Sequence, residues 1–406
     1  MLRIRNRGPL VLLVALALVL TACGADDAEE APATTAAPTT TAAPTTTAAP
    51  TTTAAPTTTA APTTTTTEAT VDMTPETPDL KVMPATLAQF LPLYVAQEKG
   101  FFAEYGLDPE ILAFEGGAGR ATEAALSGEA HMGYTSWPLA FSLAERGQQL
   151  KFITTHAYYA VVDGVDYSTH RLIVTEDSPI QSVADLEGAR IGVIARGSNE
   201  EAFLTSILLQ VGVDPDSVEL IEAFWGAHPD LLTSGEIDVG YMIYPFITGI
   251  IPYGDTAGNG FRSIGDPYIG GADGIPEMLG PRGAGMFPMA ASPEFVEENP
   301  NTIRAWALAI RDASAWIVDN PAEALDISVA ISGVPGEAQK NNPPHMYVTW
   351  PENLVEQMER VANMMVEADL LGEGLDVGAF ISDLPFTEDE MTENGRFFPW
   401  DPSQLP

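Results

Sequence analysis

From Leu80 onward, short apolar runs take turns with amphipathic ones, and Gly or Pro punctuates the changes. That alternation restricts the body of the chain to layered α/β architectures. Residues 80–83 read as a first strand, 109–114 as a second, 131–134 as a third and 189–195 as a later one. Between them the spacing predicts helices over 92–100, 120–126 and 200–211, with Gly212 where a C-cap belongs. Farther on, Ile303, Trp306, Ala307, Ile310, Ser314 and Ile317 share one helical face. Leu354, Met358, Val361, Met365 and Ala368 share another, and both stripes are expected in the core. Roughly 330 residues make up this body, more than one core usually supports.

The N-terminal part has a different character. Arg3, Arg5 and Arg7 precede an apolar run over 10–20, too short for the roughly 20 residues of a membrane-crossing helix. Residues 1–22 therefore read as an export signal. Leu20-Thr21-Ala22-Cys23 resembles a bacterial lipobox, which implies cleavage before Cys23 and a diacylglyceryl group on its thiol. Cys23 is the one cysteine of the 406 residues, so the sequence rules out an intramolecular disulfide and any CxxC zinc or redox arrangement. Two acyl chains anchor a protein stably where one binds marginally. Residues 23–78 are then the lipidated N-terminus and a disordered tether. Its Thr-Thr-Thr-Ala-Ala-Pro repeat sets Pro38, Pro44, Pro50, Pro56 and Pro62 six apart, with almost no apolar side chain large enough to drive folding. Threonines beside prolines also resemble glycosylated stalks.

A formal net charge of −38, from 18 basic and 56 acidic residues, excludes nucleic acid as a partner. Phosphate neutralisation needs clustered Lys and Arg. A self-repelling soluble surface and an adaptation to high salt both fit this charge.

Residues 92–102, Pro-Leu-Tyr-Val-Ala-Gln-Glu-Lys-Gly-Phe-Phe, followed by Tyr105-Gly106-Leu107, resemble the opening of a family of binding proteins. The similarity continues at 125–129, 182–193, 234–239 and 320–324, in the family's order. That family serves ABC importers of nitrate, sulfonates, taurine and thiamine-type pyrimidines. The resemblance implies an α/β, two-lobe periplasmic binding protein-like fold of type II, hinged on two crossing strands. Crossings are expected near Leu172-Ile173-Val174 and Met286-Phe287-Pro288, with residues 79–176 and 287–406 as lobe 1 and 177–286 as lobe 2. It implies a monomer working with permease and ATPase subunits, with no cofactor and no metal.

Ligand contacts are expected in loops at strand ends. After the first strand come Gln89 and Phe90, an amide and a ring face. After the second come Glu115, Gly117 and Arg120, in a Gly-rich turn that exposes amide N–H groups or merely connects. Ser136 and Trp137 follow the third strand and suit hydrogen bonding with stacking, or core packing. Arg196, Ser198 and Asn199 precede a helix, where the last two also fit as N-caps. His156, Trp225 and Tyr244 complete the set. The aromatic residues favour a flat heterocycle such as a pyrimidine; Arg120 and Arg196 favour a sulfonate, taurine or nitrate. The sequence contains no HExxH, GxSxG or P-loop, which argues against an enzyme, although a carboxylate pair of the glycosidase type stays open among so many acids.

Overall fold

The computed structural model describes residues 73–112, 117–268, 284–285, 287–351, 353–382 and 386–405. The export signal, Cys23, Glu115 and Met286, and the tether up to residue 72, lie outside them.

The body forms two sheets. Strands β1 (Asp79–Met83), β2 (Asp108–Ile111), β3 (Met132–Tyr134) and β4 (Lys151–Thr154) build the first. A small hairpin of β5 (Val161–Val162) and β6 (Val165–Asp166) follows. Strands β7 (His170–Thr175), β8 (Arg190–Val193), β9 (Glu219–Glu222), β10 (Val239–Ile243), β11 (Ala257–Gly258) and β12 (Phe261–Gly265) build the second. The chain then returns to the first sheet with β13 (Met289–Ala291), and β14 (His345–Tyr347) pairs with β15 (Phe398–Trp400).

The strand orders are β2-β1-β3-β13-β4 and β11-β12-β7-β10-β8-β9. In each sheet a parallel trio accepts an antiparallel strand that arrives by a crossing segment. In the first, β1 runs parallel to β2 and β3, and β13 pairs antiparallel with β3 and β4. In the second, β8 runs parallel to β9 and β10, and β7 pairs antiparallel with β10 and β12. This is a two-lobe α/β fold.

The expected first crossing at Leu172-Ile173-Val174 needs correcting. These residues sit in the middle of β7, where Ile173 pairs with Gly240 on one side and Ser263 on the other. The change of sheet falls earlier, between Thr154 and His170. A lobe boundary at residue 176 would cut β7 away from both its neighbours. The return lies between β12 and β13, and Phe287 and Pro288 fall in it.

The expected helices form, bounded by their glycines. Leu91–Lys99 ends at Gly100 and Asn199–Val211 at Gly212, both left-handed at φ +82°, a conformation that side chains rarely tolerate. The Ile303–Ile317 stripe lies buried along the helix Pro300–Asp319, with Trp306 stacked on Phe102 at 4.7 Å between ring centroids. The helix Leu354–Glu367 buries Leu354, Met358, Val361 and Met365. They belong to a core cluster that draws Phe141 and Phe152 from the first lobe and Val174, Ile191 and Phe203 from the second. Full burial of such side chains contributes about 1.5–3 kcal/mol each. The C-terminal part of the chain is thus packed against both lobes.

Candidate functional site

The loops at the carboxyl ends of the parallel strands converge on a cavity of ≈ 1020 Å³. From the first lobe come the turn after β1 (Pro84 to Phe90), Leu112 and Gly117 to Arg120 after β2, and Ser136 and Leu139 after β3. From the second come Ile194 to Glu200 after β8, Glu222 to Trp225 at the end of β9, and Ile243, Pro245 and Phe246 at the end of β10. His170 and Phe287 of the crossing segments complete the middle, and Ser332 and Val334 close one edge. Such a volume suits a small organic molecule.

Nine of the residues singled out from sequence line this cavity: Gln89, Phe90, Gly117, Arg120, Ser136, Arg196, Ser198, Asn199 and Trp225. Three described ones do not. Trp137 is wholly buried in the core with Phe141 and Phe152. Ser136, the N-cap of the helix Trp137–Ala144, takes the cavity position instead. His156 stands one layer back, its ring 5.0 Å from that of Phe90 and its Nε2 3.3 Å from Thr154 Oγ1. Burial without a counter-charge pushes its pKa down to about 3, so the ring is neutral. Tyr244 is buried and packs in the second lobe near Tyr253 and Arg171. Its neighbours Ile243, Pro245 and Phe246 line the cavity instead.

Aromatic rings dominate both walls. Phe90 meets Tyr134 edge-on at 5.3 Å in the first lobe. In the second, Trp225 stacks on Phe246 at 5.8 Å, and Phe224 packs edge-on against Phe246 at 5.0 Å. Phe224 is 58% exposed, which places a large apolar ring at the cavity rim.

Both arginines of the cavity are engaged. Arg120 pairs with Glu129 at 2.5 Å. Arg196 pairs with Glu201 at 3.1 Å, and its backbone N–H donates to Glu222. Each guanidinium thus already faces a carboxylate, in pairs that are partly exposed to solvent.

A strongly perturbed group of the wall is Glu200, which the sequence reading passed over. It begins the helix Asn199–Val211 and is 1% exposed. The Ile194 N–H donates to its Oε2 and the Trp225 indole N–H to its Oε1, each at 2.7 Å. Desolvation raises its pKa to about 8, with these two bonds working in the opposite direction. Opposite in the chain's fold, Gln89 is held by a bond from its Nε2 to Thr169 Oγ1 at 3.0 Å, while its Oε1 has no partner among the described residues. The hydroxyls of Ser136 and Ser198 also lack partners there, and neither caps the helix it starts. Buried polar atoms are rarely left so, and these three belong to residues that line the cavity.

Two α/β lobes enclosing a cavity of this size are the architecture of the periplasmic binding proteins. Residues 87–252 match the family model described as NMT1/THI5 like. A Brucella abortus relative named "Putative binding protein" is 27% identical over 236 residues, 58% of this chain, and the chain spans 65% of that relative's length. The crystal structure of the periplasmic nitrate-binding protein NrtA from Synechocystis PCC 6803 superposes with a TM-score of 0.58 at 14% identity, covering 81% of this chain and 96% of that one. That of the aliphatic sulphonate-binding protein SsuA from Escherichia coli superposes at 0.57 and 16% identity, covering 77% and 94%. The likeness to these structures carries the fold. The resemblance to substrate-binding proteins of ABC importers, read from the ordered sequence segments, is borne out by these matches.

Proposed function

We propose that the chain is an extracytoplasmic, lipid-anchored solute-binding protein that hands a small flat nitrogen heterocycle to an ABC importer. One observation carries the ligand class: a cavity of ≈ 1020 Å³ has aromatic rings on both walls while both of its arginines are bound to carboxylates. Flat rings stack favourably on such surfaces. An anion would have to compete with Glu129 and Glu201 for the two guanidinium groups. Closure of the lobes about the segments before β7 and after β12 traps the ligand and changes the surface offered to permease and ATPase subunits. The lipid on Cys23 and the tether hold this body near the membrane. Binding without turnover is the role, in keeping with the name of the Brucella relative.

A second reading has its own support. The hydroxyls of Ser136 and Ser198 stand at the starts of two helices without capping them, and helix starts favour anions. A sulfonate, taurine or nitrate would use them.

A thermal-shift screen of the full chain against pyrimidines, thiamine precursors, taurine, alkanesulfonates and nitrate separates the two. A rise of several degrees with a pyrimidine supports the first reading, and a rise confined to the anions replaces it with the second. Replacing Cys23 by Ser and following release from membranes tests the anchor.

A further inference from the structure

Glu200 is costly to the fold unless something in the cavity needs it. It is a carboxyl group removed from water, and an unpaired buried charge is expensive. Its two protein partners, the Ile194 N–H and the Trp225 indole, are both donors, an arrangement suited to a carboxylate rather than an acid. No acceptor is hydrogen-bonded to it among the described residues. In the first lobe, Gln89 presents the same polarity. Its amide nitrogen is committed to Thr169, so the atom left without a partner among the described residues is the buried acceptor Oε1. The two lobes therefore each bring acceptor oxygens to residues of one cavity wall, those of Glu200 with one donor apiece and that of Gln89 with none among the described residues. The cations that would have answered them, Arg120 and Arg196, are paired elsewhere.

We infer that Glu200 is the specificity-determining group of the site, reading N–H donors on an aromatic, amidine-like ligand together with Gln89, and that binding expels one proton to solvent. This rests on the reading of the cavity as the site of a nitrogen heterocycle. The proton comes from the Glu200 carboxyl, which is held by the empty protein below about pH 8. Ligand N–H groups then complete the shell of the carboxylate, and the proton passes to bulk water. Other titratable groups around Glu200 do not supply it. Burial pushes the hydroxyls of Tyr241 on β10 and Tyr268 beyond β12 well above their ordinary range. It pushes His170 on β7 well below, so all three stay neutral. Glu222 and Arg196 line the same cavity and are linked through the Arg196 backbone N–H.

The test is calorimetric titration of the full chain with benzamidinium, an aromatic ring with fixed positive charge and N–H donors, at pH 6, 7, 8 and 9. Affinity is expected to rise about tenfold per pH unit up to pH 8 and then level. Titration in two buffers of different ionisation enthalpy is expected to report about one proton released at pH 6 to 7. Glu200→Gln is expected to bind weakly at every pH, and Gln89→Leu about tenfold more weakly than the parent with the same pH profile. Circular dichroism checks the fold of each variant, and the parent's own profile and proton count decide the matter if Glu200→Gln misfolds. Benzamidinium affinity that ignores pH, or a pH profile that survives Glu200→Gln, overturns the role of Glu200 and leaves the heterocycle reading standing. Tight binding of an alkanesulfonate with none of benzamidinium overturns both. No binding of benzamidinium at millimolar concentration at any pH also overturns the role of Glu200.

Discussion

The Trp225 indole N–H donates to Oε1 of Glu200 at 2.7 Å, tying an aromatic wall of the cavity to a deeply buried carboxyl group. Trp225 comes from the turn after β9 and Glu200 from the helix after β8, so adjacent parallel strands deliver the pair to one end of the second sheet. A ligand stacking on Trp225 lies beside Glu200 as well.

Removing that indole donor while keeping a ring isolates its contribution. Trp225→Phe is expected to lose about 1–3 kcal/mol of stability at pH 9, where Glu200 is ionised, and less at pH 6. Urea titrations at the two pH values check this.

The raised pKa of Glu200 makes stability depend on pH with a definite sign. The folded group holds its proton up to about pH 8, whereas the unfolded group loses it near the ordinary value of 4.5. Stability is therefore undiminished below about pH 4.5, falls as pH rises from there to about 8, and stays reduced above. Glu200→Gln removes this penalty. The variant is expected to gain on the order of several kcal/mol over the parent at pH 8.5, with the gain shrinking toward pH 5. Equal stability differences at the two pH values would contradict the assignment.

Gly133 of β3 lies against the backbone of the helix Ala118–Ser127, where an added Cβ would collide with the Ala121 carbonyl. A backbone neighbour cannot swing aside as a side chain does. Gly133→Ala is expected to destabilise by more than about 3 kcal/mol and to displace the helix that carries Gly119 and Arg120 into the cavity. Thermal unfolding and soluble yield report the first, and ligand affinity the second.

Met358 is fully buried in the cluster that joins both lobes to the helix Leu354–Glu367. Met358→Ala is expected to cost about 2–5 kcal/mol, since the cavity it leaves is walled by two lobes and a helix. Chemical denaturation with a single transition, shifted to lower denaturant, is the expected record.

Much of this fold was legible in the sequence, because its strands and helices are bounded by local signals. Gly100 and Gly212 stop helices for reasons internal to their own backbone, and the Ile303–Ile317 stripe has a period that only a helix satisfies. The crossing point was not legible. Leu172-Ile173-Val174 is an apolar run whether it hinges or lies in mid-sheet, and only its pairing with β10 and β12 decides. The cavity was half legible. Loops at strand ends brought in Gln89, Ser136, Ser198 and Trp225, but Ser136 and Trp137 face different surroundings in the first turn of one helix, and packing alone sets which faces the ligand. Glu200 escaped notice because an acid in a first helical turn ordinarily sits in water beside the helix dipole. Nothing in the chain around it announces that the second lobe will bury it.

The most direct measurement of the account is a crystal structure of the full chain with whichever compound of the screening panel stabilises it most. A flat nitrogen heterocycle is expected between the Phe90–Tyr134 wall and the Trp225–Phe246 wall, with N–H groups within about 3 Å of Glu200 and Gln89. An anion seated on Ser136 and Ser198, or a ligand bound outside this cavity, would contradict it.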